Sequence, residues 1–69
     1  MTTKFVLLTD ATSGEYIMLN KSNIDRAYTD TRSSKGVDSK VTRIDFLDHK
    51  PSEWVEETVV EVYKKLNSW

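Results

Sequence analysis

The chain has 69 residues, of which 38% are hydrophobic and 30% are charged, and its formal net charge is -1. A chain of this length supports one hydrophobic core, so we expect a single domain over residues 1–69. The absence of cysteine excludes a disulfide framework and a thiolate zinc site. The opening apolar run KFVLL is too short for a secretion signal or a spanning helix, so we expect a cytoplasmic protein without membrane contact.

The first predicted elements form a β-hairpin. KFVLLTD and EYIMLN are short apolar runs rich in strand-forming residues, and the ATSG segment between them contains Gly14, which can adopt a positive φ in a turn. A third strand, IDRAYTD, begins at Ile24 and is mostly polar. A fourth, KVTRIDFLD, has one apolar and one polar side.

Residues 30–40, between the third and fourth strands, contain a single apolar side chain, Val37. Such a segment cannot form a core of its own, so the sequence predicts a hairpin extension that is flexible in the free protein. Loops of this length in compact domains are often functional. The loop 30–40 is therefore a candidate contact for a partner or ligand.

The end of the chain allows two interpretations. One is a single helix that begins at Pro51 with Ser52 as its cap; the other is a fifth strand over 52–57 and a helix from Thr58. We favour the second, because Thr58 and Glu61 have the spacing of a capping box. An apolar stripe follows at helical spacing: Val59, Val62, Tyr63, Leu66 and Trp69. The resulting order β-β-β-β-β-α predicts an α+β domain, a small antiparallel sheet of about five strands with one C-terminal helix.

The first two strands are apolar on both faces. In the first strand Phe5 and Leu7 lie on one face and Val6 and Leu8 on the other, and in the second strand Tyr16 and Met18 lie opposite Ile17 and Leu19. One short helix can cover only one face of a sheet, so either the sheet curls into a small barrel or a second chain covers the other face. Exposing such side chains costs about 1.5–3 kcal/mol each, a large part of a small domain's stability. We therefore predict a homo-oligomer, with a dimer as the first expectation.

A set of apolar and turn residues recurs in a characteristic order along most of the chain: Gly14, Glu15, Ile17, Leu19 and Asn20, then Ile24, then Val41, Ile44 and Phe46, then VEETVVEVYKKL. This order resembles that of the small flagellar FlbD proteins. Where that family turns tightly between its third and fourth strands, this chain has DTRSSKGVDSK. The resemblance implies an accessory interaction protein without an assigned reaction, and it supplies no catalytic residues.

The sequence shows no constellation for catalysis. His49 is the only histidine, and it lies in the turn segment LDHKP without a second imidazole or a recognised ligand spacing. There is no cysteine nucleophile and no phosphate-binding loop. We therefore predict a protein without enzymatic activity, metal or cofactor: an interaction, adaptor or regulatory protein, of the kind found in phages and bacteria, with another protein as partner.

A basic segment supports a second hypothesis, a nucleic-acid-binding module. Residues 26–43 contain five basic and two acidic residues, whereas residues 45–61 contain six acidic residues and one basic residue. Small sheets bind single strands through basic and aromatic side chains, and here that strip would be Arg26, Tyr28, Arg32, Lys35, Lys40 and Arg43. The overall acidic balance and the lack of an RNP-type run argue against this hypothesis.

The partner contacts predicted for the favoured interpretation come from the same region and from the C-terminus: Tyr28, Arg32, Lys35, Lys40, Arg43 and Trp69. Trp54 is assigned to core or sheet-face packing, because burying an indole contributes strongly to stability. Trp69 lies on the helix stripe but at the chain end, so an intermolecular contact and disorder both stay open.

Overall fold

The computed structural model of the protein describes residues 4–67. Its elements are β1 (Phe5–Thr9), β2 (Tyr16–Asn20), a 3₁₀ turn (Lys21–Asn23), β3 (Ile24–Ser34), β4 (Val37–Phe46), β5 (Glu53–Val55) and α1 (Val59–Leu66). The predicted α+β class, with five strands and a C-terminal helix, is confirmed. The fifth strand pairs antiparallel with β4, as the second interpretation of the chain end requires.

The β1–β2 hairpin is closed by Asp10. Its carboxylate accepts hydrogen bonds from the Thr12 amide and the Ser13 hydroxyl, both at 3.1 Å. The Gly14 amide donates to the Asp10 carbonyl oxygen at 2.8 Å, and Gly14 has φ +77°. A side chain would disfavour that backbone conformation, which explains why glycine occupies this position.

The β3–β4 hairpin includes all of residues 30–40, so the predicted hairpin extension is confirmed, as a paired ladder with a two-residue turn, and its flexibility in the free protein stays a prediction. The ladder extends from the Ile24–Phe46 pair to the Ser34–Val37 pair. The turn itself consists of Lys35 and Gly36, with φ values of 52° and 78°, as the tight hairpin turn with two positive φ values requires. The backbone hydrogen bonds of an antiparallel ladder extend this ribbon even though its side chains are polar.

The strands form two open sheets, β1–β2 and β3–β4–β5, so the barrel alternative is not observed. The sheets meet at a bridge between Asp10 and Val55. Beside it, the Glu56 amide donates to the Thr9 carbonyl oxygen and the Ala11 amide donates to the Trp54 carbonyl oxygen, each at 2.8 Å. A closed barrel would require β2 to pair with a strand of the other sheet, and among the described strands β2 pairs only with β1.

The core lies between the inner faces of the two sheets and α1. It consists of one or two buried side chains from each of four elements: Val6, Leu8, Ile44, Val55 and Val62. Thr42 is buried with them, and its hydroxyl donates to the Glu57 carbonyl oxygen at 2.6 Å. All buried strand residues thus lie on one side of the sheets, which leaves the opposite side open to solvent.

The predicted capping box of α1 is confirmed. The Glu61 amide donates to Thr58 Oγ1 at 3.1 Å, and the Thr58 amide donates to Glu61 Oε1 at 3.0 Å. Because each side chain satisfies an amide that the first helical turn would leave unpaired, the start of α1 is fixed by local sequence.

The apolar stripe of α1 is narrower than predicted. Val62 is buried, and Val59 and Leu66 are half-buried. Tyr63 is 65% exposed, so its assignment to the buried stripe is wrong. A helix of eight residues presents one short row to the sheets, and Tyr63 lies beside that row. The remaining stripe residue, Trp69, lies outside the described residues.

Candidate functional site

The outer side of the three-stranded sheet, away from the core, carries arginines and aromatic rings. Tyr28 on β3 pairs with Arg43 on β4, and Arg43 pairs with Trp54 on β5. Successive strand residues alternate between faces, so Arg26 and Arg32 lie on the same side of β3 as Tyr28. We call this surface the arginine–aromatic face: Arg26, Tyr28, Arg32, Arg43 and Trp54.

Guanidinium groups and rings alternate along this face. Arg26 lies 5.2 Å from the centroid of the Tyr28 ring, and Arg43 lies 5.8 Å from it. Arg43 is also 5.5 Å from the Trp54 ring, and Arg32 is 4.7 Å from the same ring. Each such contact contributes about 0.5–1 kcal/mol at exposed positions. The side chains form one continuous column across three strands.

Asp45 holds two arginines of the column. Its carboxylate accepts hydrogen bonds from Arg26 Nε at 3.0 Å, from Arg43 Nε at 3.1 Å and from the Ser52 hydroxyl at 2.6 Å. The Ser52 hydrogen bond, followed by that of Arg26, lowers the pKa of Asp45 to about 2. The carboxylate is therefore ionised at neutral pH, and both of its oxygens face donors of the chain.

Asp30 accepts a hydrogen bond from the column in the same way, from the indole of Trp54. Trp54 Nε1 donates to Asp30 Oδ2 at 3.0 Å, and the Thr31 amide donates to Asp30 Oδ1 at 2.8 Å. The Trp54 hydrogen bond is the main cause of the lowered pKa of Asp30. At the far end of the column, Arg32 Nη1 donates to Thr12 Oγ1 at 3.3 Å, which connects the column to the β1–β2 turn.

The structure brings together some of the predicted partner residues and separates others. Three lie on the arginine–aromatic face: Tyr28, Arg32 and Arg43. Lys40 is two residues from the buried Thr42 on β4, so both lie on the same face of that strand. Lys40 therefore lies on the side of the ribbon opposite to the arginine–aromatic face. Lys35 lies in the turn at the tip of the hairpin. Trp69 lies outside the described residues.

Sequence reasoning missed the position of Trp54 in the column. The indole is half-buried and lies between the guanidinium groups of Arg32 and Arg43. The prediction that Trp54 packs on a sheet face is consistent with this position, but Trp54 was not among the predicted site residues. The feature that would have revealed this position is the pairing register of β4 and β5, which places Trp54 opposite Arg43.

The outer side of the β1–β2 hairpin is a second candidate surface. Leu7 and Met18 pair at its centre. The alternate side chains of these strands point into the core, whereas the large apolar side chains on this side are exposed: Phe5 by 43%, Leu7 by 52%, Met18 by 65% and Tyr16 by 73%. We call these four residues the apolar outer face. The predicted two-sided apolar hairpin is confirmed, and in residues 4–67 its outer side is uncovered.

Glu57 joins β1 to α1 behind this face. Its carboxylate oxygens lie 2.9 and 3.1 Å from the Thr9 amide nitrogen, and one accepts from the Thr9 hydroxyl at 3.0 Å. Lys65 Nζ lies 3.4 Å from the same carboxylate and donates to the Leu7 carbonyl oxygen at 3.1 Å. Burial raises the pKa of Glu57, but hydrogen bonds from Thr9, from the Glu57 amide and from Lys65 together outweigh burial, and the pKa is lowered.

Among the described residues, His49 is not part of a metal site. His49 is exposed in the β4–β5 turn, with φ 63°. Residues 4–67 contain no group of three or more histidine, aspartate or glutamate side chains that could hold a metal ion. The two faces are therefore the surfaces on which a functional interpretation depends.

Comparison of the chain with protein-family models, with curated proteins and with solved structures gives no match. The resemblance to FlbD proteins therefore stays a prediction. Within the described part of the chain, no helix has the length and apolar character needed to cross a membrane.

Proposed function

We propose that this chain is a non-enzymatic interaction protein that acts as a homodimer, in which the apolar outer faces of two copies pack together. The observation that supports the proposal is the exposure of four large apolar side chains on a hairpin whose other side is already in the core. Strands that are apolar on both sides usually have both sides covered.

The exposed area corresponds to a weak dimer, at the small end of the range of protein interfaces. With exposed fractions of 43–73%, the four side chains offer about 400 Å² per copy, the size of patch that often marks an interaction site. Packing two copies would remove about 800 Å² of apolar surface from water, a gain of about 20 kcal/mol. Association costs about 4–15 kcal/mol in lost translational and rotational freedom. At the upper end of that cost the balance is about 5 kcal/mol, so we expect a dissociation constant of about 0.2 mM or tighter.

A second copy suits this face because the face can complement itself. Leu7 and Met18 lie directly opposite each other, with Phe5 and Tyr16 on the flanking pairs, and none of them is charged. A two-fold axis through the centre would place apolar residues of one copy on apolar residues of the other, which is the isologous contact of most dimers. Two such hairpins would pack as aligned sheets.

The dimer leaves the arginine–aromatic face of each copy accessible. Three of the predicted contact residues, Tyr28, Arg32 and Arg43, lie on that face and stay available for a ligand. The β3–β4 hairpin, which carries Lys35 and Lys40 toward its tip, extends the same contact region. Two copies of this region in one particle would raise the apparent affinity for a partner with two binding segments.

Cross-linking through introduced cysteines tests the position of the interface, because the chain has no cysteine of its own. Packed sheets lie about 10 Å apart, a distance that a short bis-maleimide spans. We expect Met18→Cys and Leu7→Cys to form covalent dimers at micromolar protein concentration. The control Val37→Cys, at an exposed position on the distant hairpin tip, should stay monomeric. Equal cross-linking of all three variants would contradict the proposed interface.

A further inference from the structure

We infer that the arginine–aromatic face binds single-stranded nucleic acid, with the guanidinium groups contacting phosphates and the layered side chains stacking on bases. This site is distinct from the apolar outer face and does not depend on the dimer. It extends the hypothesis of a nucleic-acid module to a defined surface with Trp54 as a member, and it removes Lys40 from that surface.

The first step of the argument concerns hydrogen-bonding capacity. The two acidic groups on this face are directed into the chain: Asp45 accepts from Arg26, Arg43 and Ser52, and Asp30 accepts from Trp54 and the Thr31 amide. Arg26 and Arg43 each donate to Asp45 through Nε, and their side chains stay 69% and 39% exposed. The surface therefore presents an excess of donors, although the whole chain has a net charge of -1. An anionic ligand is complementary to such a surface.

The second step concerns preorganisation. Arg43 lies between the Tyr28 and Trp54 rings at 5.8 and 5.5 Å, and its Nε is held by Asp45 at 3.1 Å. A guanidinium group that is already stacked and hydrogen-bonded loses less conformational freedom when it binds a ligand. The arrangement lowers the entropic cost of binding at the centre of the face.

The third step distinguishes nucleic acid from an acidic protein segment. Carboxylates of a peptide would use the charge of the arginines but not the flat layers that guanidinium groups and rings form here. Unpaired bases stack on both aromatic rings and guanidinium planes, while their phosphates accept from arginine. The alternation of three arginines with two rings therefore matches a strand of alternating charge and base better than it matches a run of carboxylates.

The fourth step concerns the form of the nucleic acid. From Arg26 to Arg32 the column follows β3 for about 20 Å at the usual strand rise, which suits a short single-stranded site of about four nucleotides. A duplex has its bases paired and stacked internally, so it would engage only the charges. We therefore expect duplex DNA of the same length to bind more weakly.

Fluorescence anisotropy with a labelled oligothymidylate of about 15 nucleotides, long enough to contain the site more than once and to form a duplex for comparison, tests the inference. At low salt the wild-type protein should bind, and with about three phosphate contacts the logarithm of the binding constant should fall with the logarithm of salt concentration with a slope near -2. Arg32→Ala should weaken binding about tenfold, because it removes both a phosphate contact and a stacked plane.

The matched control is Lys40→Ala, which removes the same charge from the opposite side of the same ribbon and should change binding less than about twofold. Arg43→Lys keeps the charge and should still weaken binding severalfold, because a lysine ammonium does not stack as a guanidinium does. Circular dichroism of each variant verifies that the fold is retained, and Arg32 is exposed, so its removal leaves the core intact.

Four outcomes would overturn the inference: no binding of the oligonucleotide at low salt, equal loss for Arg32→Ala and Lys40→Ala, binding of duplex as tight as single strand, or equal competition by an oligoglutamate of the same charge. The last outcome would assign the face to an acidic protein segment. The double variant Leu7→Asn with Met18→Gln, which adds no charge, should keep oligonucleotide binding, so loss of the dimer and loss of nucleic-acid binding are distinguishable.

Discussion

Glu57→Ala is the substitution that most directly tests how the two halves of the fold are joined. The Glu57 side chain is 10% exposed and accepts from the Thr9 amide, the Thr9 hydroxyl and Lys65. Hydrogen bonds to a charged group contribute about 1.5–3 kcal/mol each when buried, and water replaces part of them here, so we expect a loss of about 2–3 kcal/mol. For a domain of this size the melting temperature should fall by about 8–24 °C.

The assay is urea unfolding followed by tryptophan fluorescence in the Leu7→Lys, Met18→Lys background, so that dissociation of a dimer does not contribute to the measured stability. Glu57→Gln keeps an acceptor for the Thr9 amide and should lose about 1 kcal/mol. The control is Glu56→Ala, which removes the same charge from the adjacent exposed residue and should change stability by less than about 0.5 kcal/mol. If Glu57→Ala is no more destabilising than Glu56→Ala, the Glu57 contacts do not hold β1 to α1.

Two further predictions concern the long hairpin and acid stability. Gly36→Ala should destabilise the distal β3–β4 ladder by about 1 kcal/mol, because Gly36 has φ +78°, a conformation that a side chain disfavours even with open space around it. Amide hydrogen exchange should then accelerate for residues 31–40 while the core amides stay protected. Unchanged exchange in residues 31–40 would show that the tight turn is not formed. The Asp45 pKa of about 2 lies below its ordinary value of 3.8, so its contribution to stability is complete above about pH 4 and is lost as the pH falls toward 2. Ser52→Ala removes the hydrogen bond that lowers the Asp45 pKa most, and it should flatten the acid limb of the urea midpoint measured against pH. An unchanged limb would contradict the assignment.

The parts of the fold that the sequence predicted depend on local patterns. The capping box of Thr58 and Glu61 is complete within four consecutive positions, and Gly14 marks its turn by itself. The two-sided apolar pattern of β1 and β2 follows from strict alternation, whereas the packing of the core decides which of the two sides faces outward.

The parts that could not be predicted depend on partners distant in sequence. The distal hairpin has polar side chains, and its order comes from backbone pairing and from the Lys35–Gly36 turn, whose lysine is an unusual residue at positive φ. The column around Arg43 requires the register of two separate strand pairings. The exposure of Tyr63 depends on the angle at which α1 packs on the sheets, which its sequence does not specify.

Sedimentation velocity over low to high micromolar concentration tests the central claim most directly, because it asks whether one copy can exist with its apolar outer face uncovered. The account predicts a concentration-dependent dimer for the wild type, a monomer that is still folded for Leu7→Lys with Met18→Lys, and an unchanged dimer for the control Val60→Lys on the exposed side of α1. A wild-type protein that stays monomeric and cooperatively folded at the highest concentration would contradict it.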